Sequence, residues 1–254
     1  MAKSIMKKIN MFFKNNLFSK KYNALLTVVG VGPGDPDYLT LAAIKAIRKS
    51  KIIFYPISGF DNESFSLKIV KKYSRFKKKI PIIFPMGRRD YDPKEVWKRA
   101  AEIIVKKTTR NKKVVLLCLG DISIFASSSY IINEIKENYP KVKINLIPGI
   151  SSVSLAAALG DFQLINQGET LEILECPDNF DDLINSIENK NNCVLAIMKV
   201  GKRWQSVKKV LKANNILDKA VLAVNLGMEN QFIDKAYKNN SDEIPYFSLL
   251  LIRI

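Results

Sequence analysis

A loop rich in glycine and proline near the start of the chain is the first stretch that could bind a ligand. Residues 27–40 read TVVGVGPGDPDYLT and hold three of the chain's eleven glycines. Nucleotide-binding loops with similar glycine spacing direct free backbone N–H groups at a phosphate. Pro33 and Pro36 have no N–H, and Asp35 would place a carboxylate where the phosphate should lie. The loop therefore favours a cationic or neutral ligand over a phosphate.

Histidine is absent from the chain. Because histidine is the usual general base near neutral pH and the commonest metal ligand, zinc hydrolases and Ser-His-Asp enzymes are excluded. We expect no metal site, and any catalysis must rely on Asp, Glu, Lys, Tyr or positioning alone. Cys118, Cys176 and Cys193 are odd in number and lack metal-ligand spacing, which is typical of a reducing, cytoplasmic protein.

The chain is strongly basic, with a formal net charge of +17, yet only eight of its 41 basic residues are arginine. Residues 1–22 contain six lysines and no acid, and we expect a flexible extension there, with a basic helix at a membrane surface as the weaker alternative. A generally basic surface and a partner with many negative charges, such as nucleic acid or a polycarboxylate, both remain open. No apolar run approaches the ~18 residues of a membrane span, and we expect no membrane partner.

Apolar runs alternate with helical patterns along the first part of the chain. Strands are predicted at residues 25–30, 51–56, 80–85, 114–120 and 144–148, with helices at 40–49, 65–73, 93–107 and 127–138. The pattern predicts an α/β fold with a parallel sheet and helices on both faces. Asp35 is the expected N-cap of the first helix, and Val96, Ala100, Ile103 and Ile104 should share one face of the third. The loops at 30–35, 120–121 and 148–152 should meet at the carboxyl edge of the sheet and form a pocket.

The pattern changes after a helix at 151–159. Strands predicted at 171–176, 193–200, 220–227, 232–237 and 246–254 are separated by only two clear helices, at 181–187 and 203–213. This predicts a second α/β domain with a mixed sheet. We divide the chain into the extension 1–22, an N-terminal domain 23–150 and a C-terminal domain 151–254.

Five motifs occur in an order that resembles the S-adenosylmethionine-dependent tetrapyrrole (corrin and porphyrin) methylases. They are GVGPGDPDYLTLAAIKAI (30–47), LCLGDISIF (117–125), LIPGISSVSLAAALG (146–160), AIMKVGK (196–202) and AVNLGMENQ (223–231). Within the family, IIFYPIS (52–58), IIFPMGRRDYDPKEVW (82–97) and MKVG (198–201) are similar to the C-20 methyltransferases of precorrin-2. The resemblance implies two α/β domains, the methyl donor S-adenosyl-L-methionine in the cleft between them, and a homodimer.

The same resemblance implies which residues bind the donor. They are Pro33, Leu119, Gly120, Asp121, Ile124, Ser151, Ser152, Met198 and Gly227. The second motif departs from the family's G-D-P-x-x-Y, because Ile122 stands for the proline and Phe125 for the tyrosine.

Methyl transfer from a sulfonium needs a dry, well-shaped cleft that aligns donor and acceptor. A meso carbon of a reduced tetrapyrrole is already electron-rich and needs no strong base before attack, so the missing histidine fits this reaction. Asp121 and Tyr130 are the candidate catalytic residues. Asp121 could instead cap the following helix, and Tyr130 could instead be a packing residue.

The tetrapyrrole acceptor is a polycarboxylate, so the substrate mouth should be basic. The candidate carboxylate ligands are Arg88, Arg89, Lys199, Lys202 and Arg203. The pair Arg88 and Arg89 could equally form an exposed turn with Asp90.

Three other functions remain open. One is methylation of cobalt-precorrin-2 or of uroporphyrinogen III within the same family. Another is ribose methylation of ribosomal RNA, against which the basic residues show no interleaved aromatic stacking platform. The last is tetrapyrrole binding without catalysis. We expect a cytoplasmic enzyme with no nucleic-acid partner, acting on precorrin-2 at C-20 to give precorrin-3A.

Overall fold

The computed structural model describes residues 25–58, 63–84, 92–108, 113–188 and 190–254. Within this part of the chain the strands form two five-stranded sheets, the first wholly parallel and the second mixed. Helices cover both sheets. The predicted fold class is confirmed.

The first sheet has the strand order β3-β2-β4-β1-β5. Its strands are β1 (Leu25–Gly30), β2 (Ile52–Ile57), β3 (Lys78–Ile83), β4 (Val114–Cys118) and β5 (Lys143–Ile147). The central strand β4 is buried along its whole length, which explains why its sequence is a continuous apolar run.

Four helices cover the two faces of this sheet: α1 (Leu41–Lys49), α2 (Phe65–Ile69), α3 (Pro93–Thr108) and α4 (Ser128–Asn138). The first two pack on one face and the last two on the other. The chain moves across the sheet in one direction from β1 to β3 and returns in the other from β3 to β5. Because crossovers between parallel strands are right-handed, the helices before β3 and those after it must lie on opposite faces. The direction switches between β2 and β4, and a crevice is expected at their carboxyl ends.

The second sheet has the strand order β6-β7-β10-β8-β9. Its strands are β6 (Thr170–Glu175), β7 (Cys193–Met198), β8 (Val221–Val224), β9 (Phe232–Lys235) and β10 (Ser248–Arg253), and its helices are α5 (Ser152–Leu159), α6 (Phe180–Glu188) and α7 (Trp204–Ala213). Only β6 and β7 pair in parallel. Helix α7 packs through the fully buried Trp204, whose indole N–H donates to the Ser241 carbonyl at 3.0 Å. Helix α5 packs on the opposite face.

Short 3-10 turns lie at Pro36–Tyr38, Lys71–Tyr73, Gly201–Arg203 and Ala236–Lys238. Among the described residues, no helix is both long and apolar enough to cross a bilayer. The first sheet ends at Ile147, and α5 already packs on the second sheet. The domain limits at residues 22 and 150 stay predictions, and the extension 1–22 lies outside the described residues.

Two local predictions were wrong. Asp35 caps only the 3-10 turn, accepting from Asp37 N at 2.8 Å, whereas Leu39 is extended and Thr40 caps α1. The α-helix therefore begins after a second polar N-cap, Thr40, which lies five residues after Asp35. On α3, Ile103 is 43% exposed, and Ala101 and Val105 are buried beside Ala100 and Ile104 instead.

Candidate active site

A cavity of about 920 Å³ opens between the two domains. Its walls come from the carboxyl ends of β2 and β4 in the first sheet, and from β7, β8 and β10 in the second. Most of the residues that the family resemblance assigned to the donor line it: Pro33, Leu119, Gly120, Asp121, Ile124, Ser151, Ser152 and Met198. The predicted carboxylate ligand Lys199 lines it as well. Its size falls within the range of small-molecule sites.

The glycines of the first loop let three backbone segments approach one another. Gly32 and Gly120 exchange backbone hydrogen bonds of 3.1 and 2.8 Å, which holds Pro33 at the cavity wall. A Cβ at Gly149 would lie 2.3 Å from the Gly120 carbonyl oxygen, and one at Gly30 would lie 2.5 Å from Gly149 N. The loops after β1, β4 and β5 therefore meet in backbone contact. The glycine spacing serves this contact.

The same loop also touches the C-terminal domain through a second pair of glycines. A Cβ at Gly34 would lie 2.4 Å from the Leu226 carbonyl oxygen. Gly227 has φ +68°, and a Cβ there would lie 2.4 Å from Asp35 N. Gly227 itself is not in the cavity wall, although Leu226 and Met228 are. Its observed role is to let the two domains close on each other.

Asp121 is a buried carboxylate with most of its acceptor positions filled. Oδ1 accepts from the backbone N–H of Ser123 at 2.8 Å and from the Ser123 hydroxyl, and Oδ2 accepts from Gly149 N at 2.9 Å. Burial alone would raise the pKa of Asp121, but the hydrogen bonds from Ser123 and Gly149 together hold it below its ordinary value. Asp121 does not cap α4, which begins at Ser128 after the N-cap Ser127. The backbone N–H of Ile122 also favours the charged form of Asp121 and lowers its pKa.

The two positions that depart from the family motif have different surroundings. Ile122 is half-buried against the core beneath α3 and α4. Phe125 has φ +46° and a ring that is 47% exposed at the cavity. The Lys199 ammonium lies 5.5 Å from the centroid of that ring and 3.0 Å from Glu175 Oε2, and Lys199 has φ +60°. Two strained left-handed residues from different domains thus meet across the cavity.

The structure does not bring all the predicted residues to the cavity. Tyr130 stacks on Trp97 with ring centroids 5.2 Å apart and is 56% exposed, which matches its alternative role in packing. Lys202 is exposed and lies off the wall. Arg203 pairs with Asp178 and donates to the Lys199 carbonyl at 3.1 Å, so it holds the loop after β7. Arg88, Arg89 and Asp90 lie outside the described residues.

Sequence reasoning missed much of the polar lining. The additional serines on the wall are Ser58, Ser64, Ser66, Ser127, Ser128 and Ser248. Ser58 follows β2, and Ser64 and Ser127 are the N-caps of α2 and α4; the positions after a strand and before a helix were the available signal. The Ser128 hydroxyl is buried and has no hydrogen-bond partner among the described residues. Cys118 also reaches the wall, and burial raises the pKa of its thiol.

The charge on the wall is low and slightly acidic. Among the lining residues of the described chain, the charged side chains are Glu63, Asp121 and Lys199, and Lys199 is already paired with Glu175. The described residues include no cluster of potential ligands that could hold a metal ion. Such a wall can take a cationic or neutral molecule with apolar parts, as the sequence of the first loop suggested.

Comparisons with known proteins agree with this arrangement. The family model for Tetrapyrrole (Corrin/Porphyrin) Methylases matches residues 25–236. A probable cobalt-precorrin-2 C(20)-methyltransferase of Methanocaldococcus jannaschii is 28% identical over 94% of this chain and 98% of its own length. A precorrin-2 C(20)-methyltransferase of Sinorhizobium sp is 24% identical over 88% of this chain and 93% of its own.

Solved structures show the same fold. The X-ray structure of a cobalamin biosynthetic enzyme, cobalt precorrin-4 methyltransferase, aligns with a TM-score of 0.69 at 16% identity, covering 93% of this chain and 98% of that one. The chain belongs to the tetrapyrrole (corrin/porphyrin) methylases, and the predicted enzyme class, an S-adenosylmethionine-dependent C-methyltransferase, is confirmed with it.

Proposed function

We propose that this protein transfers a methyl group from S-adenosyl-L-methionine to C-20 of precorrin-2, giving precorrin-3A in corrin synthesis. The observation that carries the proposal is the interdomain cavity, whose wall holds almost every residue assigned to the donor from the family motifs. The two relatives at 28% and 24% identity act on different forms of the acceptor by their names, but both are named for C-20.

The charge and the apolar surface of the described wall suit the donor. Its sulfonium is a cation, and the nearby carboxylates of Glu63 and Asp121 favour a positive charge. Pro33, Leu119 and Met198 supply apolar surface that excludes water from the reacting sulfur. Asp121 lies on the cavity wall, where its carboxylate can also interact with a hydrogen-bond donor of the methyl donor or with a pyrrole N–H.

Asp121 acts in this proposal as a positioning residue. Its lowered pKa makes it a weak base, and its hydrogen bonds to Ser123 and Gly149 tie the loop after β4 to the loop after β5. Alignment of donor and acceptor then supplies most of the rate acceleration. The proton that leaves C-20 after methylation goes to solvent at the cavity mouth.

The carboxylates of the acceptor need cations at the edge of the cavity. Lys199 is the lysine on the described wall, and a substrate carboxylate would compete with Glu175 for its ammonium. Arg88 and Arg89 remain proposed carboxylate ligands. Lys202 and Arg203 do not line the cavity, and Arg203 serves by fixing the backbone of Lys199.

Cobalt-precorrin-2 is the second candidate acceptor, because two relatives carry it in their names. A chain without histidine can methylate either form, since the metal would be ligated by the tetrapyrrole itself. We further propose a homodimer in the cytoplasm; the unpaired, buried cysteines suit a reducing compartment.

The test is anaerobic turnover of the purified protein with S-adenosylmethionine and, in parallel, precorrin-2, cobalt-precorrin-2 and uroporphyrinogen III. Mass spectrometry of the tetrapyrrole should show one added methyl group on precorrin-2. If only cobalt-precorrin-2 were methylated, it would be the acceptor in place of precorrin-2. Two methyl groups on uroporphyrinogen III would contradict the proposed reaction. Donor binding without any methyl transfer would favour a binding protein. Sedimentation velocity tests the dimer.

A further inference from the structure

Lysines lie in one row at the amino ends of four of the five parallel strands: Lys51, Lys77 and Lys113 directly precede β2, β3 and β4, and Lys143 is the first residue of β5. The pairings Ile52 with Lys78, Ile52 with Val114, Leu26 with Val114 and Leu25 with Lys143 define the register. One residue earlier, the row across the sheet reads Lys77, Lys51, Lys113, Leu25 and Lys143. Side chains in register in a parallel sheet project from the same face.

This row places like charges side by side. Neighbouring strands are about 4.8 Å apart, and like charges on adjacent strands destabilise a sheet. Lys77 donates to the Arg48 carbonyl at 2.6 Å. In the part of the chain that the structure describes, Lys51, Lys113 and Lys143 form no ion pair that would offset the repulsion.

More positive charge surrounds the row. Residues 45–79 contain eleven lysines and arginines against two acids, Asp61 and Glu63. Helix α1 ends at this edge with Arg48 and Lys49, the turn before β3 adds Arg75, and β3 begins with Lys78. We call Lys51, Lys77, Lys113 and Lys143, together with these four residues, the basic face.

Apolar side chains are exposed beside these cations. Phe76, in the turn before β3, is 91% exposed, and Leu25, in the lysine row, is 42% exposed. Residues 1–22, which precede β1 in the sequence, contain six lysines and no acid and include MFFKNNLF at 11–18. Cations around a protruding apolar side chain are the chemistry that binds anionic lipid headgroups and inserts shallowly beneath them.

We propose that the basic face docks the protein on an anionic phospholipid bilayer. Nucleic acid suits the charge, but binding of a strand needs several stacking rings, and among the described residues next to the basic face Phe76 is a single exposed ring while Tyr73 is half-buried beneath Arg48. The face lies at the amino ends of the strands and the cavity at their carboxyl ends, roughly 17–20 Å away for strands of this length. Docking therefore leaves the cavity open. The expectation that no membrane is a partner stays a prediction, and the experiment below decides between it and this proposal.

The test compares binding of the full chain to vesicles of phosphatidylcholine alone and of phosphatidylcholine with about one third phosphatidylglycerol. Flotation at ~0.1 M salt should recover the protein with the anionic vesicles only, because each lysine near an anionic surface contributes about fivefold. The variant Lys51→Gln/Lys113→Gln/Lys143→Gln should weaken that binding on the order of 100-fold.

The matched control is Lys209→Gln/Lys212→Gln/Lys219→Gln, which removes the same charge from exposed lysines of the second domain. Both triple variants should keep the methyltransferase activity, and neither should lower the unfolding midpoint, because the face variant removes repulsion between lysines on adjacent strands. Phe76→Cys, labelled with an environment-sensitive dye, should shift to the blue on anionic vesicles; the cysteines at 118, 176 and 193 are buried.

If the two triple variants lost vesicle affinity equally, the proposal would be overturned, because binding would then depend on the net charge of the protein and not on the basic face. Equal binding to neutral vesicles, or no vesicle binding at all, would also overturn it. If the face variant instead lost affinity for single-stranded RNA while vesicles never bound the wild type, the partner would be a nucleic acid.

Discussion

Replacing Asp121 by asparagine separates a positioning role from a role as a base. The carboxylate accepts two hydrogen bonds from Ser123 and one from Gly149 N at 2.9 Å, and its side chain is buried. In Asp121→Asn, the amide oxygen can keep the Ser123 bonds, but the amide nitrogen then faces the Gly149 N–H. In the variant two hydrogen-bond donors therefore face each other, where the wild type pairs the Gly149 N–H with a carboxylate oxygen.

The size of the effect follows from these bonds. Hydrogen bonds to a charged group are worth about 1.5–3 kcal/mol, against about 0.5–1.5 kcal/mol for neutral ones, and an orphaned buried N–H costs about 1–3 kcal/mol. We expect Asp121→Asn to lower the free energy of unfolding by about 2–4 kcal/mol, and donor affinity to fall because the loop after β4 loosens. Ser123→Ala, which removes one hydroxyl donor, should cost about 1 kcal/mol.

The effect should depend on pH. The hydrogen bonds depress the pKa of Asp121 in the folded protein, so their stabilisation is fully present above the ordinary carboxyl pKa of about 4 and is lost as the pH falls through the lower, folded-state value. The difference between wild type and Asp121→Asn should therefore be constant above pH ~5 and shrink below pH ~4.

Urea unfolding between pH 3 and 7 and calorimetric titration with S-adenosylhomocysteine measure both quantities. The control is Asp218→Asn at an exposed site, which should change stability by less than ~0.5 kcal/mol. Unchanged stability and donor affinity in Asp121→Asn, together with a large fall in kcat, would refute the positioning role and identify Asp121 as a base.

Three further predictions concern the cavity. Gly34→Ala would put a Cβ 2.4 Å from a backbone oxygen of the other domain, so it should cost about 1–3 kcal/mol in urea unfolding and weaken donor binding; an unchanged affinity would contradict the interdomain contact. Lys199→Gln should raise the KM for the tetrapyrrole more than the KM for the donor in steady-state assays, and the reverse order would assign Lys199 to the donor. Burial raises the pKa of the Cys118 thiol, so iodoacetamide should alkylate it more slowly than a free thiol at pH 7. Bound S-adenosylhomocysteine should slow the alkylation further. Mass spectrometry measures the rate, and rapid alkylation would contradict the burial of the thiol.

Patterns local in sequence were enough to predict most of the fold. The apolar run at 114–118 forms the buried central strand, and the alternation of strands and helices led to a parallel sheet. The placement of three loops at one edge followed from that topology, and the motifs pointed to the cavity residues.

Contacts between distant segments could not be read from the sequence. The docking of Gly34 on Gly227 depends on how the domains pack. Arg203 seemed free to bind substrate until the structure paired it with Asp178 across the loops after β6 and β7. Tyr130 of α4 stacks on Trp97 of α3, and this contact between two helices is not encoded in either local pattern.

The position of the transferred methyl group tests the central claim most directly. The protein is given precorrin-2 and S-adenosylmethionine with a carbon-13 methyl group under anaerobic conditions for a single turnover. NMR of the tetrapyrrole then locates the new carbon–carbon bond. We predict one labelled methyl on the meso carbon C-20. A label on a pyrrole ring carbon, or an unlabelled tetrapyrrole beside bound donor, would contradict the proposed function.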